Sequence, residues 1–187
     1  MNSSVSHLKL IILDRDGVIN YDSDEYIKSP EEWLPIPGSL EAIAHLTRAG
    51  YTVVVATNQS GVGRGLFDLQ TMRRIHEKVQ QAAAQAGGNI AAIFFCPHTL
   101  DDRCDCRKPK PGLFKQIAQQ FHCDLHGVYA VGDSLRDVEA ARAVGAMPIL
   151  VRTGKGSHIA QQDVPGDVPV YDDLAAFVDA LLAAPQA

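Results

Sequence analysis

The chain has 187 residues, of which 46% are hydrophobic and 21% charged, and this length and composition predict one domain with a sizeable core over residues 1–187. A formal net charge of -5 argues against nucleic-acid binding, which usually needs a basic surface, and no apolar run reaches the ~18 residues of a membrane span. Because residues 1–7 lack the basic and apolar regions of a signal peptide, we predict a cytoplasmic protein whose four cysteines stay reduced.

The first predicted element is a buried parallel strand over 8–13, which runs into Asp14-Arg15-Asp16-Gly17. Parallel strands end at the edge where open α/β sheets bind ligands. Because side chains alternate along an extended backbone, we expect Asp14 and Asp16 to share a face while Arg15 points away. Two ionised carboxylates this close repel each other unless a cation lies between them or one holds a proton, and Mg2+ is the first expectation. A solvated turn is the alternative interpretation of this stretch taken alone.

Strands and helices alternate along the rest of the chain, which predicts a mostly parallel sheet between two layers of helices. Residues 20–37 are long for a connection and predict a binding loop, whereas residues 57–65 predict a flexible polar loop. Asp68 and Asp172 are the predicted N-caps of two helices, and His76 is assigned to a helix surface. The further predicted strands are 51–56, 90–95, 127–131 and 147–151, and the predicted helices begin near 39, 69, 111, 135 and 173 and end near 50, 86, 121, 144 and 182.

Polar side chains follow three of the predicted strands, and a lysine lies just before a helix. All of them at one edge of the same sheet form a stronger signal than any one of them. Together they supply a nucleophile, a metal site, a cation and hydrogen-bond donors, as phosphoryl transfer requires. The residues are Asp14, Asp16, Thr57, Asn58, Lys108, Asp133 and Asp137.

Four motifs in the order DRDG, TNQSG, RKPKPG and GDSLRD resemble those of the haloacid-dehalogenase-like (HAD) phosphatases over nearly the whole chain. The insert CPHTLDDRCDCRKPKPG resembles the zinc-loop branch of that superfamily, which includes histidinol-phosphate phosphatases and heptose-bisphosphate phosphatases. The stretches DRDGVIN, TNQSGVGRG and RKPKPG are most similar to the heptose enzymes. The resemblance implies a Rossmann-like three-layer α/β/α fold with a zinc loop over 96–110. No stretch between the motifs is long enough for a separate cap domain.

The resemblance also implies catalytic roles. Asp14 matches the nucleophile, which forms an aspartyl-phosphate, and Asp16 matches the general acid and base. Thr57 and Lys108 match the groups that hold the phosphoryl oxygens. The implied Mg2+ ligands are Asp14, Asp16 through its backbone carbonyl, and Asp133.

Asp137 lies one helical turn after Asp133, and we expect it to orient Lys108 or a metal-bound water. Arg107 is expected to reach a remote anion of the substrate, because its planar fork suits phosphate. The zinc loop and the 20–37 loop are expected to form the walls of the substrate site, although the acids of the latter also suit a plain surface. The predicted substrate-binding residues are Asp22, Ser23, Asp24, Glu25, Thr57, Asn58, Gln59, Ser60, Arg107 and Lys108.

Cysteine and histidine residues cluster in two short stretches. Four such ligands fill a tetrahedral Zn2+ site with no open position, which makes the zinc structural rather than catalytic. The spacing is not the familiar double CxxC, so reduced cysteines beside a surface histidine are the alternative, and the family resemblance favours zinc. Cys123 lies outside the cluster and is expected in the core at a helix end. The predicted Zn2+ ligands are Cys96, His98, Cys104 and Cys106.

Three functions are open at this point. The resemblance implies, first, a monomeric Mg2+-dependent phosphatase that acts on C7 of a small sugar phosphate, a heptose bisphosphate, in the route to ADP-heptose and lipopolysaccharide core sugars. The second is a histidinol-phosphate phosphatase, which is disfavoured by Pro-Lys-Pro-Gly after Lys108 and by the chain's end at Ala187 without a second catalytic domain. The third is a non-enzymatic, zinc-organised binding module, which has no need of the complete catalytic set.

Overall fold

The fold is described from a computed structural model over residues 8–184, so the prediction that residues 1–7 form no signal peptide lies outside the described residues. None of the helices within 8–184 is long and apolar enough to cross a membrane. The elements in chain order are β1 (Leu10–Leu13), α1 (Ser39–Arg48), β2 (Thr52–Asn58), α2 (Ser60–Gly63), α3 (Leu69–Gln85), β3 (Ile90–Cys96), α4 (Gly112–Phe121), β4 (Tyr129–Gly132), α5 (Leu135–Arg142), β5 (Met147–Val151), β6 (Val170–Tyr171) and α6 (Leu174–Ala183).

The six strands found within residues 8–184 belong to one sheet in the order β3-β2-β1-β4-β5-β6, and every neighbouring pair is parallel. The central strand β1 is flanked by β2 and β4, so the carboxyl ends of these three strands lie side by side. This arrangement confirms the predicted parallel sheet. It also places the residues that follow β1, β2 and β4 at one edge, where open α/β sheets bind ligands.

Helices cover both faces of the sheet, as the predicted three-layer α/β/α fold requires. The alternation of β1 shows the two faces directly. Ile11 and Leu13 belong to a buried cluster with residues of α1, α3 and α6. Leu10 and Ile12 belong to a second cluster with residues of α4 and α5. A continuous apolar run is therefore needed in β1, because both of its faces are buried.

The predicted loop over 57–65 was wrong at its start and in its middle. Thr57 and Asn58 continue β2, because they pair with Phe95 and Cys96 of β3. Residues 60–63 then form the short helix α2 rather than a flexible loop. Strand β6 was not predicted, since two residues are too few to show a period.

The predicted N-cap is confirmed for one helix and was wrong for another. Asp68 caps α3, where its side chain accepts a hydrogen bond from Thr71 N at 2.7 Å. The cap of α6 is Asp173 and not Asp172, because the Asp173 carboxylate accepts from Ala176 N at 2.8 Å. His76 is buried and stacks edge-to-face on a phenylalanine of β3, so its assignment to the helix surface was wrong.

Candidate active site and metal centres

The ammonium of Lys108 lies at the centre of the candidate site and is only 3% exposed. Its Nζ is 2.9 Å from Asp14 Oδ2 and 2.6 Å from Asp137 Oδ1, and it donates to the backbone oxygen of Ala56 at 2.8 Å. A lysine ammonium has three N–H donors. All three therefore have acceptors, which fixes the direction of the side chain. The expectation that Asp137 orients Lys108 agrees with this geometry.

Three carboxylates gather around this cation. Asp14, Asp133 and Asp137 each offer an oxygen within 4.8 Å of the others. Burial raises the pKa of Asp14 to about 8 even though Lys108 opposes the shift, and burial together with Asp137 raises the pKa of Asp133 to about 7. Burial also acts on Asp137, but there the contact with Lys108 prevails and lowers the pKa.

This charge balance fits a divalent cation. One ammonium compensates one of three carboxylates, so two formal negative charges remain in a largely buried pocket. Hard oxygen donors are the ligands that Mg2+ prefers. Asp14 and Asp133, whose pKa values are raised, are the residues that would hold the ion. The Asp16 carboxylate is not part of this cluster. Coordination of Mg2+ by the backbone carbonyl of Asp16 therefore stays a prediction.

A loop after β5 fixes the Asp133 carboxylate. The backbone N–H of Lys155 donates to Asp133 Oδ2 at 2.7 Å, and the Thr153 hydroxyl donates to the backbone oxygen of Gly17 at 2.6 Å. Gly17 has a φ of 79°, and a Cβ at this position would collide with Asp133 Oδ2. Sequence reasoning missed this loop, although Gly154-Lys155-Gly156 follows a strand at the same edge of the sheet.

Arg15 does not point away from Asp16, so that expectation was wrong. Strand β1 ends at Leu13, and beyond it the chain bends, so the alternation of an extended strand no longer applies. The fully buried guanidinium of Arg15 contacts both Asp16 oxygens, at 2.9 and 3.0 Å. Gln59 donates to Asp16 Oδ2 at 2.6 Å, and Asn20 donates to Oδ1 at 2.8 Å. Burial raises the pKa of Asp16, but these donors outweigh it, so the net pKa is lowered.

Thr57 and Asn58 end β2 beside the same pocket. Asp14, Asp16, Thr57 and Lys108 all line a cavity of about 70 Å³, together with Asp133, so the structure brings the predicted catalytic set together. The Thr57 hydroxyl is buried and accepts a hydrogen bond from Gln59 Nε2 at 3.0 Å. Its orientation is therefore set by a neighbouring side chain.

Most of the predicted substrate-binding residues line an adjoining cleft of about 240 Å³. The residues that line both the cleft and the cavity are Asp16, Asp22, Asn58, Arg136 and Lys155. Glu25 is not among the lining residues. Two exposed cations that sequence reasoning missed are present, Arg136 in the first turn of α5 and Lys155, whose Nζ lies 3.2 Å from Asp22 Oδ2. The predicted residues that line the cleft are Asp22, Ser23, Asp24, Asn58, Gln59, Ser60 and Arg107.

Arg107 adds a third cation to this cleft. Its Nη1 donates to the backbone oxygen of His98 at 3.2 Å. Its Nε is buried and has no hydrogen-bond partner among the described residues. A buried donor without an acceptor is costly. Arg107 also lines the cleft, where its planar guanidinium suits an anion.

The cysteine and histidine cluster has the dimensions of a metal site. The sulfur atoms of Cys96, Cys104 and Cys106 lie 3.1 to 3.6 Å apart, and His98 Nδ1 lies 3.2 and 3.6 Å from two of them. A tetrahedral Zn2+ site with Zn–S distances of about 2.3 Å has edges of about 3.8 Å. The four side chains are therefore compatible with zinc. Cys123 lies outside the cluster and packs partly buried against the core, as predicted.

The parallel sheet and the carboxylates at its edge define a hydrolase of the HAD-like class, and a family model described as HAD-hydrolase-like matches residues 105–177. The D-glycero-beta-D-manno-heptose-1,7-bisphosphate 7-phosphatase of Pseudomonas putida is 54% identical over 175 residues, which cover 94% of this chain and 100% of the relative. Its counterpart from Bordetella bronchiseptica is 57% identical over 176 residues, with 94% and 98% covered. The chain belongs to this family of heptose-bisphosphate phosphatases.

Solved structures agree. The crystal structure of D,D-heptose 1,7-bisphosphate phosphatase from B. bronchiseptica, complexed with magnesium and phosphate, superimposes with a TM-score of 0.90 at 56% identity and covers 94% of this chain and 98% of that one. A D,D-heptose 1,7-bisphosphate phosphatase from Burkholderia thailandensis gives a TM-score of 0.74 at 47% identity, with 94% and 99% covered. Both structural matches cover 94% of this chain, whereas the family model matches only residues 105–177.

The raised pKa values of Asp14 and Asp133 predict how stability depends on pH. In Mg2+-free buffer the free energy of unfolding should fall as pH rises from about 5 to about 8, because the folded carboxyl groups retain protons that the unfolded chain has released. Mg2+ should therefore stabilise the protein more at pH 8 than at pH 5. Urea denaturation at both pH values measures this effect, and Asp133→Asn should reduce the dependence. An equal Mg2+ effect at both pH values would contradict the prediction.

Proposed function

We propose that this chain is a Mg2+-dependent phosphatase that removes the C7 phosphate of D-glycero-D-manno-heptose 1,7-bisphosphate, a step toward ADP-heptose and lipopolysaccharide core sugars. The observation that carries the chemistry is the buried Lys108 ammonium between Asp14 and Asp137, with Asp133 beside them. The substrate is supported by the relatives of 54% and 57% identity. The placement of all six described strands in one sheet supports one domain, and a monomeric, cytoplasmic state stays a prediction.

The first chemical step is attack by a carboxylate oxygen of Asp14 on phosphorus. A bond forms between this oxygen and phosphorus, the bond from phosphorus to the C7 oxygen breaks, and Asp16 gives a proton to the leaving alkoxide. Because its neighbours outweigh burial and lower the pKa of Asp16 in the free protein, Asp16 has to take up this proton as the anionic substrate binds and raises that pKa. A divalent cation held by Asp14 and Asp133 offsets the repulsion between the anionic nucleophile and the anionic substrate. Asp16 then takes a proton from water, which attacks the aspartyl-phosphate and restores the Asp14 carboxylate.

Lys108 and Thr57 hold the phosphoryl oxygens in this scheme. All three Lys108 donors already have acceptors, so a phosphoryl oxygen has to replace one of them. Asp14 is the partner that gives way, because its carboxylate loses its charge when it becomes esterified. Asp137 keeps Lys108 in place throughout, since it takes no part in bond formation.

The cleft favours a bisphosphate over histidinol phosphate. Arg107, Arg136 and Lys155 line it, and these cations suit a second phosphate. Histidinol phosphate carries an ammonium group at the corresponding end, for which Arg107 is no partner. A non-enzymatic binding module has no use for a lysine buried among three carboxylates.

The Asp14→Asn variant should lose phosphate release on every substrate while its fold is retained, because an amide is a poor nucleophile. Phosphate release from heptose 1,7-bisphosphate, histidinol phosphate and p-nitrophenyl phosphate measures both activity and preference. Asp163→Asn, an exposed aspartate, is the matched control. Near wild-type turnover by folded Asp14→Asn would refute the nucleophile, and a higher kcat/KM for histidinol phosphate would refute the substrate.

We also propose one structural Zn2+ on Cys96, His98, Cys104 and Cys106. Replacing a ligand should lower the free energy of unfolding, because binding energy at a structural site is folding energy. We expect Cys104→Ser to lose zinc and to loosen residues 96–110, and Cys123→Ser to keep it. Elemental analysis and urea denaturation of both variants test this, and protein purified without chelators that contains no zinc would count against the site.

Arg107 and Lys108 are adjacent but should contribute differently. Lys108→Ala should lower kcat on all substrates, because it removes a contact to the group in transfer. Arg107→Ala should lower kcat/KM for the heptose bisphosphate by roughly ten- to a hundredfold, the equivalent of about 1.5–3 kcal/mol for a charged hydrogen bond, and leave p-nitrophenyl phosphate nearly unchanged. Arg107→Lys should rescue only partly, since an ammonium lacks the planar fork.

The matched control for this pair is Lys110→Ala, because Lys110 is a cation of the same loop that pairs with Asp105 at the exposed surface. It should leave both kcat/KM values unchanged. Equal losses on both substrates in Arg107→Ala would show that Arg107 serves the chemistry rather than selectivity.

A further inference from the structure

One side chain satisfies both backbone polar groups of Lys108. The amide oxygen of Asn58 accepts a hydrogen bond from Lys108 N at 3.0 Å, and its Nδ2 donates to Lys108 O at 3.1 Å. This pair of hydrogen bonds resembles the pair that a neighbouring β-strand makes with the N–H and C=O groups of one residue. Within residues 8–184, no other hydrogen bond to these two backbone groups is present.

Asn58 lies where the zinc loop begins and ends. It is the last residue of β2 and pairs in register with Cys96 of β3, which starts the loop. The next residue, Gln59, donates its backbone N–H to Cys96 O at 2.7 Å. The Asn58 side chain also bonds to Lys108, whose ammonium contacts the carboxylates of the site. Residues 58 and 59 therefore hold both ends of the 96–108 segment.

The backbone around Lys108 offers few other attachments. Pro109 and Pro111 have no backbone N–H, so neither can anchor this stretch through a donor. The Lys110 N–H bonds locally to Arg107 O. A lysine side chain is long and flexible, so three acceptors fix its ammonium only where the backbone that carries it is itself fixed.

We propose that Asn58 is a positioning residue, which fixes the backbone of Lys108 and thereby aims its ammonium at Asp14 and Asp137, rather than a residue that binds substrate. The proposal rests on the role given to Lys108 in the proposed function. It differs from the expectation drawn from the TNQSG motif, in which Asn58 contacts the substrate. Both functional ends of the Asn58 amide are engaged in the protein itself.

The test compares Asn58→Ala with Asn58→Asp and with Asn89→Ala, a surface asparagine outside the site. Hydrogen exchange of the Lys108 amide, followed by NMR on the zinc-loaded protein, reads the backbone directly. We expect exchange at least about tenfold faster in Asn58→Ala. Asn58→Asp should give intermediate protection, because one carboxylate oxygen still accepts from Lys108 N while the other faces the Lys108 carbonyl oxygen, which it repels. Asn89→Ala should match wild type.

Kinetics give the second readout. We expect Asn58→Ala to lower kcat by about ten- to a hundredfold on both heptose 1,7-bisphosphate and p-nitrophenyl phosphate, with KM changed less than about threefold, as small misplacements of a catalytic group do. A raised KM with unchanged kcat, or normal Lys108 exchange in Asn58→Ala, would overturn the proposal. The exchange result does not depend on the substrate, so failure of wild-type protein to hydrolyse the heptose would refute the proposed function alone.

Discussion

The ammonium of Lys108 compensates one of three carboxylates in a largely buried pocket, and the geometry of the candidate site depends on that ion pair. Asp14 follows β1, Asp137 lies in the first turn of α5, and the third acceptor is the backbone oxygen of Ala56 in β2. One cation thus joins three neighbouring elements of the sheet edge. Removing one partner of a buried pair leaves an uncompensated charge, which typically costs about 3–5 kcal/mol. Activity and local stability therefore share one interaction.

The zinc loop gives this cation a fixed position without regular secondary structure. Between β3 and α4 the chain has no strand or helix over 97–111, so backbone ladders cannot hold it. The four-ligand cluster and the Asn58 side chain take over that task. A loop of this kind also carries Arg107 to the cleft, one residue before Lys108. In the proposed function, the same segment would thus supply the cation for the reacting phosphate and one for the remote end of the substrate.

Sequence alone predicted most of the fold and the central residues of the site. Parallel strands end at one edge, so Asp14, Thr57 and Asp133 were expected together, and the cysteines are close enough in sequence to suggest a cluster. The misses share a physical cause. The bend after β1 turned Arg15 toward Asp16, and Lys155 meets Asp133 through a tertiary contact that no local pattern encodes. The periodicity of apolar residues predicts strands and helices, but it gives no information on the loops between them.

The two adjoining pockets differ in their balance of charge. The cavity around Lys108 is lined by the Asp14, Asp133 and Asp137 carboxyl groups, and burial raises the pKa of Asp14 and of Asp133. A divalent cation bound there would displace protons from these groups and offset their charge toward an anionic substrate. The exposed cations Arg136 and Lys155 line both pockets, and Arg107 is the cation that lines the cleft alone, beside three aspartates. In the proposed function, cation binding therefore prepares the reacting end of the site, whereas Arg107 distinguishes the remote end.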